Sequence, residues 1–288
     1  MVEPMRAAAL YGQLEQDFVR RGMTENWAGD MHALDVFLSE NFKQRSMGLL
    51  CDFTEEVTKV YTAVFPSDTV LTRILADNVT DAMLFLHHPM VWEMGKEPDR
   101  VFYDVNTEML SQLRARRVSL FNFHYPLDNF GAYSTSKTLT DALGIRVENP
   151  FADMCGALCG IIGTTDCTDV YALQARYTQA VGHETKLYMY GESAIKNGRV
   201  GICAGGGNDI TVVRDLLAND VRVLISGLSV CNDYSAAVHD FEKIHGINLL
   251  GGTHYSSEKF ACIALCAYFA RLGLLAEFIP DTPCMKDM

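Results

Sequence analysis

Three stretches of the chain set imidazoles, in two cases with a carboxylate, at the ends of apolar runs. Met83-Leu84-Phe85-Leu86 leads into His87-His88-Pro89, and Leu120-Phe121-Asn122-Phe123 into His124-Tyr125-Pro126-Leu127-Asp128. Leu249-Leu250-Gly251-Gly252-Thr253 leads into His254-Tyr255-Ser256-Ser257-Glu258, so four of the eight histidines fall at these junctions. Neutral imidazole nitrogen and carboxylate oxygen together suit a divalent ion such as Zn, Fe, Mn or Ni, and do not separate those metals. A bridging carboxylate can hold two ions. Two ions about 3.5–4 Å apart would polarise a substrate oxygen and generate hydroxide near neutral pH. Neighbouring side chains on a strand point opposite ways, so His87 and His88 can serve one site only where the chain leaves the strand, an exit that Pro89 enforces. If the last helix starts near Tyr255, the four-residue separation sets His254 and Glu258 side by side.

Each stretch alone also has an ordinary reading. His87-His88 can decorate a strand end, Asp128 can cap a turn before Asn129 and Gly131, and Ser256 can cap a helix whose first turn favours Glu258. A lone histidine is more often structural, which covers His32, His183, His239 and His245. The conjunction at three strand ends favours a metal. The run Gly205-Gly206-Gly207, before Asn208-Asp209, can aim backbone N–H groups at a phosphate or carboxylate from a helix N-terminus. It lacks the Gly-Lys-Ser/Thr of a P-loop, and a tight turn for close packing explains it equally well. Covalent catalysis finds no support, because there is no G-x-S-x-G and no motif links Ser226-Gly227 or Cys231 to a base.

The elements that must position these residues alternate. Strands are expected at Met47 to Cys51, Val57 to Phe65, Ala82 to Leu86 and Val118 to Phe123. Later ones are expected at Ala157 to Ile162, Thr185 to Tyr190, Arg199 to Cys203, Val221 to Ile225 and Ile247 to Gly251. Helices are expected over Met31 to Phe42, from a cap at Ser67, over Val105 to Arg116, and over Ser136 to Leu143. Four more are expected over Asp169 to Ala180, Asp209 to Leu217, Ser235 to His245 and Ser256 to Leu272. Alternation at this spacing is the mark of a parallel-sheet α/β protein, in which carboxyl ends of strands face the functional crevice. Gly144 and Asn149-Pro150 suggest a hinge, dividing the chain into 1–150 and 151–288.

At 288 residues there is chain for one large domain or two ordinary ones, and 49% hydrophobic with 21% charged residues is globular composition. The net charge of −12 argues against nucleic-acid and anionic-membrane surfaces as partners. The apolar run Phe260 to Ala270 is about half of the 20 residues a membrane span needs. Arg6 precedes only a short Ala-Ala-Ala-Leu stretch, too weak for a secretory signal. Nine cysteines without a C-x-x-C pair read as reduced cytoplasmic thiols, mostly buried, with Cys155/Cys159 and Cys262/Cys266 at helical core spacing.

Leu-His-His-Pro, His-Tyr-Pro-Leu-Asp, Gly-Ile-Cys-Ala-Gly-Gly-Gly and Gly-Thr-His-Tyr-Ser-Ser-Glu, in that order from about Met47 to Leu272, resemble the NIF-three-like proteins. Members are often named GTP cyclohydrolase I type 2 homologues. The resemblance implies a two-lobed α/β fold with mostly parallel sheets flanked by helices, a dinuclear metal centre in the cleft between lobes, and a ring-shaped homohexamer. By motif, His87, His88, Asp128, His254 and Glu258 would be ligands, with Asp128 or Glu258 bridging, and His124 would lie beside the site as a supporting residue or variable ligand, a candidate proton shuttle if the protein is a hydrolase. One departure stands out: where the family has glycine, an acid and soon a histidine, Gly227 is followed by Leu228, with no histidine until His239. Substrate contacts from the Gly227 to Asp233 loop are therefore in doubt. The expected activity is metal-dependent hydrolysis of a nucleotide or pterin-like small molecule, its anionic group held at Gly205 to Gly207. The competing expectation is a non-catalytic metal-handling or regulatory interaction protein.

Overall fold

The computed structural model describes residues 4–97 and 99–288. The chain divides into two compact units, Met1–Leu127 with Cys262–Asp281, and Asp128–Ala261 with Thr282–Met288. Among the described residues no helix is long and apolar enough to cross a membrane.

The first unit is built on a five-stranded sheet in the order Leu275–Phe278, Lys59–Ala63, Ala82–Leu86, Val118–Asn122, Gly48–Cys51. The first three pairings are parallel and the last antiparallel. Ala82–Leu86, a continuous apolar run, and Val118–Asn122, which also carries Ser119 and Asn122, are buried along their whole length in the middle of the sheet. Leu71, Ile74, Leu84, Leu86, Leu110, Leu113 and Leu120 share the core of this unit. The helix Asp68–Ala76 starts where expected, with Ser67 Oγ accepting from the Val70 amide at 3.2 Å.

The second unit carries a six-stranded sheet in the order Lys186–Tyr188, Asn248–Gly251, Val223–Ser226, Arg199–Cys203, Ala157–Thr164, Arg146–Met154. Its central three strands are parallel and the outer pairings antiparallel, so this sheet is mixed. Tyr177, Val200, Ile202, Val223, Ile225 and Leu250 form its core with the helix Val170–Val181.

The structure differs from expectation at four places. Asn149-Pro150 is no hinge: it lies inside the nine-residue strand Arg146–Met154, with Pro150 opposite Ile161. That strand closes the sheet's edge, where a residue without an N–H leaves no inner ladder bond unmade. The chain changes unit at Leu127 and Asp128 instead. The apolar stripe of Met31, Leu34 and Leu38 is buried, but on two short 3₁₀ turns, Ala28–Asp30 and His32–Leu34, and the approach to a separate helix Glu40–Arg45 capped by Ser39. Cys155 and Cys159 flank a hairpin turn rather than sharing a helix face. The helix Ala7–Phe18, the hairpin Val91–Glu97 with Arg100–Tyr103, and the strand Leu275–Phe278 add to the expected elements.

Leu86 is fully buried and immediately precedes His87. Leu86→Ala should cost about 2–5 kcal/mol in urea unfolding. A loss below about 1 kcal/mol would contradict the packing described for this strand end.

Candidate metal centre

Parallel pairing brings the carboxyl ends of Lys59–Ala63, Ala82–Leu86 and Val118–Asn122 to one edge of the first sheet. The ladder continues past the strands: the His87 amide donates to Ala63 O at 3.2 Å, that of His88 to Val64 O at 2.9 Å, and that of Phe123 to Leu86 O at 3.1 Å. Asn122 Nδ2 donates to His87 O at 2.6 Å, fixing the backbone at the histidine pair. The ring of His87 donates from Nδ1 to Phe123 O at 3.1 Å. This bond selects the tautomer whose Nε2 carries the lone pair, the arrangement metal-binding histidines use.

One nitrogen from each of His87, His88 and His124 lies within 4.8 Å of the others, so these three imidazoles form a group that could hold a metal. Aromatic rings wall it: Phe65 stacks on His88 at 4.7 Å, and Trp27 meets His124 edge-on at 5.2 Å. Glu25, whose side chain is 1% exposed, lies 3.8 Å from His124 Nδ1. It accepts from Trp27 Nε1 at 2.6 Å and from the Tyr125 amide at 2.9 Å, fastening the N-terminal segment to the histidine edge. Nothing in the sequence around Glu25 announces this role, because the Tyr125 amide and His124 that it meets are about a hundred residues away.

In the second unit, parallel strands likewise deliver Gly205, Gly227 and His254 to one sheet edge. The last helix begins at His254 itself, and its first turn brings His254 Nε2 to 3.2 Å from Glu258 Oε1, both side chains being buried. Thr253, not Ser256, is the local cap: its Oγ1 accepts from the Ser256 amide at 3.1 Å. A second acceptor comes from far along the chain. The buried carboxylate of Asp287 accepts from the His254 amide at 2.8 Å, and its main-chain oxygen accepts from Ser229 and Val230 at 2.8 and 2.9 Å. Asp287 thus ties the start of the helix His254–Arg271 to the loop after Gly227. Asp128 Oδ1 accepts from Thr135 Oγ1 at 2.6 Å, which orients one carboxylate oxygen.

The glycine run is spent on close approach. Gly205 adopts φ +64°, and a Cβ there would fall on the Glu258 carboxylate and beside His254 Nε2. Its amide donates to Ser257 Oγ at 2.8 Å, and the next helix is capped by Asp209, which accepts from the Thr211 amide at 2.7 Å. The anion-binding expectation therefore loses the Gly205 amide and one amide of the helix terminus to internal partners.

Sequence reasoning set His239 aside as a lone histidine. It is fully buried, as is Glu242 one turn on, with Nδ1 and Oε2 3.5 Å apart. Tyr190 Oη and His239 Nδ1 share a hydrogen bond at 2.9 Å. Burial pushes the Glu242 carboxyl up from 4.5 to about 8 and the His239 imidazole down. The i, i+3 pairing of an imidazole and an acid on the helix Ala236–His245 was the available signal.

Comparison with known proteins bears on all of these residues. A family model described as Duf34/NIF3 (NGG1p interacting factor 3) matches residues 35–280. A Borreliella burgdorferi protein described as a GTP cyclohydrolase 1 type 2 homolog is 26% identical over 237 residues, covering 82% of this chain and 88% of that one. The solved structure of protein ybgI, of unknown function, superposes with a TM-score of 0.72 at 19% identity, over 97% of this chain and 100% of that one. Reduced HcgD from Methanocaldococcus jannaschii gives 0.69 at 19% identity, over 98% and 100%. These two structures share the fold.

Two expectations follow from the side-chain environments. Asp287→Ala removes a buried charged acceptor from the His254 amide and should cost about 1–3 kcal/mol in urea unfolding of chelator-stripped protein. Asp287→Asn, which keeps an acceptor, should recover much of that loss, and equal stability of all three proteins would contradict the cap. Glu242 binds its proton more tightly folded than unfolded, so stability should fall as pH rises from about 4.5 to about 8 and then level. Glu242→Gln should flatten that part of the chelated protein's stability–pH curve, and an unchanged slope would show that burial does not shift this acid.

Proposed function

The chain belongs to the Duf34/NIF3 family, and from that premise we propose that it is a metal-dependent hydrolase in which His87, His88, Asp128, His254 and Glu258 ligate two divalent cations. The substrate in this reading is a nucleotide or pterin-like small molecule, in keeping with the name its Borreliella burgdorferi relative carries. The reading includes a cytoplasmic location and a homo-oligomer, a hexameric ring by resemblance.

The supporting observation is the burial of the donor set. His87, His88, His254 and Glu258 are each no more than 4% exposed, and a buried carboxylate among imidazoles is costly unless cationic charge offsets it. The donors are nitrogen and oxygen alone, which fits Zn, Fe, Mn or Ni. Bound cations would supply Lewis acidity and lower the pKa of a water molecule. The chain's own residues do the rest. His87, fixed through Phe123 O, presents Nε2. Asn122 and the sheet ladder hold the histidine pair in place, and Thr253 with Asp287 holds the helix turn that carries His254 and Glu258. His124, set between Glu25 and the histidine pair, holds or moves a proton at its ring nitrogens.

Protein reconstituted with Zn, Mn or Fe should hydrolyse a member of a panel of nucleotides, phosphate esters and cyclic amidines. Glu258→Ala should lower that turnover by about a hundredfold or more while leaving the fold intact by circular dichroism. Metal uptake without turnover across the panel would reject hydrolysis and support metal handling instead.

A further inference from the structure

The second unit holds another buried polar cluster, built from residues outside the five ligand positions. His239 and Glu242 project from successive turns of the helix Ala236–His245 and are both inaccessible to solvent. Around the His239 ring lie Tyr190 Oη, 2.9 Å from Nδ1, the Asn208 amide, 3.5 Å from Nε2, and the ring of Tyr188 at 4.9 Å. Neither oxygen of Glu242 has a hydrogen-bond partner, and neither do the buried Asn208 Oδ1 and Ser229 Oγ. Among the described residues, no lysine or arginine pairs with Glu242: the neighbouring Lys243 pairs with Asp240 at 3.2 Å.

A carboxylate without hydrogen bonds in the interior costs several kcal/mol unless it stays neutral or meets a cation. The 3.5 Å between His239 Nδ1 and Glu242 Oε2 is too long for a hydrogen bond of useful strength. It is close to the separation of two donors on one tetrahedral ion, about 3.4 Å for metal–ligand distances of about 2.1 Å. Tyr190 Oη, 2.9 Å from Nδ1, adds an oxygen donor on the Glu242 side of the imidazole, while rotation of the Asn208 amide would let its oxygen accept from the opposite ring nitrogen, Nε2. An imidazole, a carboxylate and a phenol oxygen form a borderline donor set that suits Zn²⁺ or Co²⁺ better than Mg²⁺ or Ca²⁺.

We infer that His239 and Glu242, with Tyr190, form a mononuclear site for a divalent transition-metal cation, separate from the five residues assigned above. The site anchors the helix Ala236–His245 to Tyr190, just beyond the strand Lys186–Tyr188. Tyr188 and Tyr190 beside it are half-buried. The inference does not depend on the hydrolase reading.

The test counts cations on the full-length chain. Apo protein is titrated with Co²⁺ or Zn²⁺ against a competing chelator, with metal per chain measured after gel filtration. Wild type should bind one equivalent more than Glu242→Gln, a near-isosteric change that removes only the carboxylate. In a His254→Ala/Glu258→Ala background, one equivalent should persist, lose about tenfold or more in affinity with Glu242→Gln, and with Co²⁺ give a visible absorption band that His239→Ala abolishes. Equal metal content with and without Glu242→Gln in both backgrounds would overturn this site while leaving the five-residue centre standing. Failure of His254→Ala/Glu258→Ala to lower metal content would count against the five-residue centre instead.

Discussion

Desolvation governs this protein's chemistry. Imidazoles and carboxylates are withdrawn from water at positions where an apolar side chain would be cheaper, and each is surrounded by groups that fix it rather than neutralise it. The Phe123 carbonyl holds the His87 ring, Asn122 holds its backbone, and Ser257 and Gly205 close on the turn that carries His254 and Glu258. Such an arrangement is costly in an isolated fold, and divalent charge would offset that cost. The same cost explains why the supporting residues are as buried as the donors they support.

Sheet geometry turns that constraint into a site. In each unit three parallel strands end on one edge, and the residues that follow them are the chemically distinctive ones. Strands buried on both faces leave little freedom in register, so the first residues beyond them are placed with little play. In the first unit the backbone ladder runs on through His87 and His88, which lets adjacent residues be held rigidly after the strand has ended. In the second, the helix starts on His254 itself, so helix geometry dictates the approach of His254 to Glu258.

Much of this was legible in the chain. The apolar runs Ala82–Leu86 and Val118–Asn122 announced buried central strands, and the four-residue step from His254 to Glu258 announced a shared helix face. Local signals failed where partners are distant. Asn149-Pro150 reads as a break, yet an edge strand accommodates it. The stripe from Met31 to Leu38 reports burial without helical continuity, since 3₁₀ turns can present the same residues inward. Glu25 and Asp287 could not be found at all from their neighbours, because each acts through hydrogen bonds to residues far along the chain. His239 and Glu242 were visible as a pair on one helix, but their burial was not.

An anomalous difference map from crystals grown with Zn²⁺ or Mn²⁺ tests the central assignment most directly. The account predicts two peaks about 3.5–4 Å apart, bonded to the side chains of His87, His88, Asp128, His254 and Glu258. A map with anomalous density elsewhere and none within bonding distance of those five residues would contradict it.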